Sequence, residues 1–272
     1  MRLQPGHPLL ARSLRPWAAM LLTFCTVVVI VLGVLLAHQS RTDGLDQAID
    51  SWMIRSLEGH KSLLRWLAAP AELLPAGLTS LIMVAACLVT GRLKGAILAT
   101  TAVPIASALC DSLIKPLVHR SDLAYPSGHV TSISALAAML TVLLVLPPQP
   151  LIEWRARMLI PLITGVLACG VAIAVVGLRW HFFTDTIGGA ALGTGTVCAL
   201  ALVLDLPAVS RRLAALTAWL LSRSVAFTLR PGWPRAARGC AGRRGSPRSK
   251  RRRRPAAASG DWVSASRWRR SR

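Results

Sequence analysis

Long apolar runs alternate with short polar segments along this chain up to residue 206. Six of the runs fall in the range of about 17–25 residues that lets an α-helix cross a bilayer core. We predict one membrane span from each of them, over residues 18–37, 71–90, 95–114, 130–146, 158–178 and 186–206. The pattern therefore predicts an all-α membrane protein with a helical-bundle core.

The first run is open to two interpretations, because a basic segment followed by an apolar run is typical of a cleaved signal peptide as well as of a first span. Its length favours the span, and so does Leu35, which spoils a small-x-small cleavage site before His38. The last run is rich in Gly and Ala over 188–195, which predicts close helix packing. Close approach of the backbone to a site is the alternative role for Gly189.

Residues 38–69 differ from the runs, because their apolar positions recur every fourth residue. This spacing predicts an amphipathic helix, with Trp52 and Trp66 suited to the membrane interface. Two roles stay open for it, as a cover over a site and as a plain connection. The apolar positions are Leu45, Ile49, Met53 and Leu57.

The composition agrees with a membrane protein. Apolar residues make up 53% of the chain, charged residues make up 16%, and the mean hydropathy is +0.52, which excludes an ordinary soluble domain. Five of the six cysteines lie inside apolar runs, and none forms a Cys-x-x-Cys pair. We interpret them as small buried hydrophobic residues rather than as a disulfide or metal framework.

The net charge of +21 is distributed unevenly and sets the predicted orientation. The basic segments are residues 1–17, 91–94, 155–157 and the tail, residues 207–272. With six spans all four fall on one side of the membrane, which the positive-inside rule makes cytoplasmic. Both termini would then be cytoplasmic, around a membrane domain of residues 18–206.

The tail begins with a predicted short amphipathic helix, marked by Leu213, Leu216 and Leu220. From residue 230 it consists mainly of Arg, Gly, Pro, Ala and Ser, a composition that predicts disorder. We expect its positive charge to be attracted to anionic headgroups of the cytoplasmic leaflet. Nucleic-acid binding is the less favoured alternative.

Two polar clusters lie on the side opposite the basic turns, so we expect them to meet outside the cytoplasm. In the first cluster, Pro-Ser-Gly-His over 126–129 starts a helix, where free amides favour an anion such as phosphate. Lys115 and Arg120 add positive charge there. Asp111, four residues before Lys115, is predicted to pair with it.

The second cluster contains His181 and Asp185, four residues apart and therefore on one face of a helix. A carboxylate that accepts a hydrogen bond from one imidazole nitrogen leaves the other free as a nucleophile. Arg179, two residues before the histidine, is placed to reach the same anion; snorkelling to the membrane interface is its alternative role.

Taken in order, these residues resemble the three-part signature of the type 2 phosphatidic acid phosphatase superfamily, whose site is shared with vanadium haloperoxidases. The resemblance covers roughly residues 70–206. It departs from the family at two positions. Asp122 stands where the family usually has a second Arg, and Val175 stands where the family usually has an Arg before the histidine. The matching residues are Lys115 and Arg120, then Pro126, Ser127, Gly128 and His129, then His181 and Asp185.

The resemblance implies a two-step hydrolysis without a metal ion or other cofactor. His181 attacks phosphorus and forms a phosphohistidine, Asp185 orients it, and His129 protonates the leaving oxygen and then activates water. The groups implied to stabilise the phosphate charge are Lys115, Arg120, Arg179 and the amides of Ser127 and Gly128.

The expected substrate is a lipid phosphate or diphosphate at the outer leaflet of a bacterial cell membrane. A polyprenyl carrier, phosphatidic acid and phosphatidylglycerol phosphate are the candidates. Asp122 and Val175 favour an alternative, a non-enzymatic protein that binds phosphorylated lipid. A transporter is disfavoured because no span carries a charge near its middle, and the membrane spans disfavour a haloperoxidase.

Overall fold

The computed structural model describes residues 7–37, 44–120, 125–147 and 153–228. The regular structure of these residues is helical throughout, as predicted. A π-helical stretch, Leu109–Ile114, joins α5 to α6. The α-helices are α1 (Arg15–Leu36), α2 (Gly44–Leu57), α3 (Lys61–Ala68), α4 (Leu73–Val89), α5 (Leu93–Ala108), α6 (Lys115–Val118), α7 (Gly128–Leu144), α8 (Trp154–Gly177), α9 (Phe183–Leu204) and α10 (Pro207–Thr228).

Within the described residues, five helical stretches are long and apolar enough to cross a membrane. The remaining predicted span, the fourth, over residues 130–146, falls on α7, a shorter apolar helix of 17 residues. The all-α membrane fold is therefore confirmed, while the count of six spans stays a prediction. The five stretches are Arg12–Leu36, Asp46–Val89, Leu93–Val118, Arg157–Gly177 and Phe183–Leu204.

The 44-residue stretch Asp46–Val89 contains three α-helices rather than one. As a single straight helix it would be about 66 Å long, more than twice the thickness of a bilayer core. Turns at Glu58–His60 and Ala69–Ala71 divide it, so α4 alone corresponds to the second predicted span. Trp52 on α2 and Trp66 on α3 are 64% and 79% exposed, and their place at the membrane interface stays a prediction.

Helices α7 and α9 pack closely at the centre of the bundle. A Cβ atom at Gly193 would lie 2.3 Å from the carbonyl oxygen of Thr131, and one at Gly189 would lie 2.6 Å from that of Ser127. Only residues without a side chain permit this approach, so the Gly-rich stretch acts in packing as predicted. The approach also places the start of α9 beside the start of α7.

We expect Gly193→Ala to lower the free energy of unfolding by about 1–3 kcal/mol, because the new methyl group displaces the backbone of α7. Thermal unfolding of the purified chain in detergent measures the change. Gly165→Ala in α8 is the control, since a Cβ there meets no atom within 4 Å. Its removal of a helical glycine is expected to leave stability unchanged or raise it. Equal melting temperatures for Gly193→Ala and the wild type would contradict the prediction.

The far end of α9 is held by a buried carboxylate. Asp205 accepts hydrogen bonds from the amides of Leu9 and Leu10, at 3.0 and 2.9 Å. It also pairs with the Nζ of Lys94 at 3.1 Å and with the Nη2 of Arg15 at 3.4 Å. Lys94 is only 3% exposed, so this network fixes both the N-terminal segment and the start of α5 against the end of α9.

A helix is present at the start of the tail as α10, whose 22 residues make it longer than the predicted short helix. Its amphipathic character stays a prediction. The part of the tail that is predicted to be disordered, from residue 230, lies outside the described residues.

Candidate functional site

Two histidines that are distant in sequence lie close together in the fold. His129 is the second residue of α7, and His181 lies in the turn between α8 and α9. Their ring centroids are 6.5 Å apart. The ring of Trp180 lies beside His129, with 5.4 Å between the centroids. The two polar clusters therefore meet at the starts of α7 and α9.

A backbone hydrogen bond ties the two clusters together. The amide of Ser127 donates to the carbonyl oxygen of Asp185 at 3.0 Å. Ser127 is also the N-cap of α7, and its Oγ accepts from the amide of Val130 at 3.5 Å. Its own amide is therefore occupied, whereas the amide of Gly128 lies in the first turn, where no intrahelical acceptor exists. Of the two amides predicted to bind phosphate, the geometry favours that of Gly128.

Lys115 lies against the start of α7. Its Nζ is 3.8 Å from the position that a Cβ at Gly128 would take. It pairs with the Oδ1 of Asp111 at 2.6 Å, which confirms the predicted ion pair. Both side chains are partly exposed, so the pair is weak enough to exchange for an incoming anion. Asp111 lies in the π-helical stretch, an irregularity that is frequent at functional sites.

Asp185 is completely buried beneath His181. Its Oδ2 accepts from the amide of Phe182 at 3.2 Å and so caps the start of α9. The Nδ1 of His181 lies 3.7 Å from the same oxygen and makes no hydrogen bond with the described residues. This distance is longer than a hydrogen bond, but catalytic pairs commonly tighten only when the substrate binds. Nδ1 is thus the ring nitrogen near the carboxylate, and the predicted hydrogen bond between His181 and Asp185 stays a prediction.

Arg120 is bound by the protein itself. Its guanidinium, 2% exposed, pairs with Asp185 at 2.5 Å and with Asp46 at 2.7 Å. It also donates to the Oγ1 of Thr184 at 3.0 Å and lies 4.5 Å from the ring centroid of Phe182. The left-handed residue His119 that ends α6 turns the chain toward this position. Arg120 thus fixes the carboxylate of Asp185, and its predicted contact with phosphate stays a prediction.

The sequence does not single out Asp46, which is fully buried at the other end of this network. Its carboxylate accepts from the amide and the hydroxyl of Thr184, at 3.0 and 2.7 Å, and from Arg120. Four residues later, Asp50 accepts from the amide of Phe183 at 3.2 Å. Of the two roles open for α2, these bonds favour a cover over the site. The sequence signal that could have indicated these two residues is a pair of acids, four residues apart, beside the apolar stripe of a helix in a chain with few acids.

Arg179 has a left-handed backbone, with φ of 61°, directly after α8. It lines a cavity of about 300 Å³ together with Asp50, His181 and Phe182. Val175, where the resemblance would place an Arg, is fully buried in the core. Arg179 is therefore the cation that α8 brings to the cavity. The other departure, Asp122, lies outside the described residues.

Tyr125 is a further buried group beside the site. Its hydroxyl donates to the carbonyl oxygen of Val29 at 3.0 Å, and its ring fills the space over Gly188. Burial raises the pKa of the phenol above its usual value, and the nearby carboxylate of Asp185 raises it further. The hydroxyl therefore stays protonated and links α1 to the loop before α7, and we assign it no proton transfer.

Comparisons with known proteins confirm the family resemblance. A family model described as the PAP2 superfamily matches residues 75–207. Phosphatidylglycerophosphatase B of Bacillus subtilis (strain 168) is 37% identical over 78 residues, which are 29% of this chain. The matching part spans only 37% of that relative's length.

One solved structure is similar in fold. It is the crystal structure of a transmembrane PAP2 type phosphatidylglycerolphosphate phosphatase from Bacillus subtilis. The TM-score is 0.53 at 19% sequence identity, and the match covers 66% of this chain and 93% of the other.

Proposed function

We propose that this chain, which belongs to the PAP2 superfamily through residues 75–207, is a membrane phosphatase that hydrolyses a lipid phosphate or diphosphate. The observation that carries the proposal is the pair His129 and His181, with ring centroids 6.5 Å apart at the starts of two helices. A nucleophile and a proton donor on opposite sides of one anion-binding space are what phosphoryl transfer to histidine requires.

The proposed first step is attack by the Nε2 of His181 on phosphorus, because its Nδ1 faces Asp185. The bond between phosphorus and the leaving oxygen breaks, and His129 supplies the proton that this oxygen needs. In the second step His129 removes a proton from water and the water oxygen attacks phosphorus. The bond between phosphorus and the Nε2 of His181 breaks, and inorganic phosphate leaves. Each step is balanced without a metal ion or an external cofactor.

Positive groups around the space would stabilise the phosphoryl oxygens during both steps. We assign this role to Lys115, the amide of Gly128 and Arg179, with Arg120 acting mainly through Asp185. Asp46 then acts as a positioning residue, because it holds Arg120 and Thr184 in place. The assignment rests on burial and pairing, because Arg120 is buried between two carboxylates, whereas the ion pair of Lys115 is partly exposed and Arg179 lines the cavity.

The positive-inside rule, applied to the basic segments, favours a site on the extracytoplasmic side and both termini in the cytoplasm. A lipid can then reach the site laterally from the outer leaflet of a bacterial cell membrane. Phosphatidic acid, phosphatidylglycerophosphate and polyprenyl phosphates or diphosphates are the candidate substrates. The name of the Bacillus relative supports the second of these.

Phosphate release by the purified full chain in detergent tests the proposal. We expect turnover of at least one of the candidate lipids, unchanged by a chelator because no step uses a metal. A phosphoenzyme that is stable in base and labile in acid, trapped by rapid quench with labelled substrate, would identify the histidine intermediate. No release from any of these lipids would contradict the proposal.

A second candidate function is a lipid-binding protein without turnover. The engagement of Arg120 by Asp46 and Asp185 favours it, since this cation is less available to phosphate. Saturable binding of the phosphorylated lipid by both wild type and His181→Ala, with no phosphoenzyme in either, would support this alternative. Binding followed by phosphate release from the wild type alone would exclude it.

A further inference from the structure

A charged groove adjoins the proposed catalytic space. It has a volume of about 310 Å³, within the range of small-molecule sites. Three cations, Lys61, Arg65 and Arg179, line it together with a single carboxylate, Glu58. None of these four side chains makes an ion pair with another described residue. The groove therefore presents unpaired positive charge to whatever enters it.

The groove is continuous with the site through shared walls. Arg179 and Ile54 line both the groove and the cavity that contains His181. Trp180 also lines the groove, and its ring lies 5.4 Å from that of His129. In the proposed mechanism His129 protonates the leaving oxygen. The groove therefore lies on the side where the leaving group departs.

We propose, on the basis of the proposed phosphatase function, that this groove binds a second phosphate of the substrate, carried by the leaving group. Three cations against one carboxylate suit an anion, and arginine binds phosphate oxygens with two parallel hydrogen bonds. The preferred substrates are then lipids whose leaving group is itself anionic. A lipid diphosphate meets this requirement, and so does a phosphorylated headgroup that is joined to its lipid through a phosphodiester. The leaving group of phosphatidic acid, in contrast, is a neutral diacylglycerol.

General attraction of a basic surface to anionic lipid is the competing explanation. The exposed Trp52 and Trp66 suit α2 and α3 to the membrane surface, where lysine and arginine contact headgroups. The two explanations differ in their substrate dependence. Loss of surface attraction slows phosphatidic acid hydrolysis as well, whereas loss of a specific site affects only substrates with a second phosphate.

The test compares wild type with the double variant Lys61→Gln/Arg65→Gln, as full chains in neutral detergent. Phosphatidic acid, phosphatidylglycerophosphate and a polyprenyl diphosphate serve as substrates. We expect kcat/KM to fall about tenfold or more for one or both of the two-phosphate lipids. For phosphatidic acid we expect a change below about twofold. Which of the two-phosphate lipids is affected identifies the source of the second phosphate.

Two single variants sharpen the comparison. Arg55→Gln removes an exposed cation of α2 that lines neither cavity, and we expect it to leave all three rates unchanged. Glu58→Gln removes the opposing carboxylate and is expected to lower KM for the two-phosphate lipids. An equal fall for all substrates in the double variant, or no fall, would overturn the proposal.

Binding of inorganic pyrophosphate tests the proposed anion site in the groove independently of catalysis. By calorimetry, we expect the wild type to bind pyrophosphate more tightly than phosphate, and the double variant to lose this preference. If no lipid is hydrolysed but the preference is present, the phosphatase proposal fails and the second anion site stands. If lipids are hydrolysed and the preference is absent, the groove proposal alone is wrong.

Discussion

Replacing His181 with alanine is expected to reduce lipid phosphate release by at least about 10³-fold, because the proposed nucleophile is lost. Steady-state phosphate release from the best lipid substrate measures the effect. The melting temperature should change little, since the ring makes no hydrogen bond through Nδ1. His60→Ala is the matched control, because this exposed histidine lies outside both cavities.

The two histidines can be separated by trapping the intermediate. In His129→Ala the proton donor and water activator are missing, but the nucleophile remains. A labelled phosphoenzyme should therefore form slowly in His129→Ala and be absent in His181→Ala. Turnover of His181→Ala at the wild-type rate would rule out the assigned nucleophile.

Asp46→Asn is expected to reduce kcat by about 10²-fold while KM changes far less, because Asp185 loses its fixed position under the imidazole. The substitution also leaves Arg120 with one buried carboxylate instead of two. Breaking a buried ion pair costs about 3 kcal/mol or more of stability, so the melting temperature in detergent should fall. The rates are therefore measured at a temperature below the unfolding transition and are expressed per folded molecule.

The variant Asp205→Asn distinguishes an effect on the position of Asp185 from an effect on the stability of the whole fold. Asp205 has comparable buried ionic and hydrogen-bonding partners, but at the opposite end of α9. We expect a similar fall in melting temperature with kcat within about threefold of wild type, since the site is untouched. If both variants lose kcat to the same extent, Asp46 is structural only.

The meeting of the two histidine clusters could be predicted from the sequence. The lengths of the apolar runs and the placement of basic turns put both clusters on one membrane face, and the Pro-Ser-Gly-His turn marks a helix start. Close packing of α7 against α9 could also be predicted, because a glycine-rich stretch has few other uses in a span. These inferences depend on the local composition and on the number of apolar runs, and both are read directly from the sequence.

The partners of the buried charges could not be predicted in the same way. Arg120 was expected to face phosphate, and its contacts with Asp46 and Thr184 depend on how α2 folds back onto the start of α9. Asp46 precedes Arg120 by 74 residues, and nothing in the local pattern connects them. Lys115 and Asp111 were paired correctly because four residues along a helix fix their separation.

The buried pair of Lys94 and Asp205 has a consequence for biogenesis. The two residues are 111 positions apart, so the lysine emerges from the ribosome and enters the bilayer region long before its partner exists. Until the last span is inserted, that ammonium group has to remain in water or among lipid headgroups. Final closure of this end of the bundle, with the amides of Leu9 and Leu10, is thereby postponed until α9 is in place.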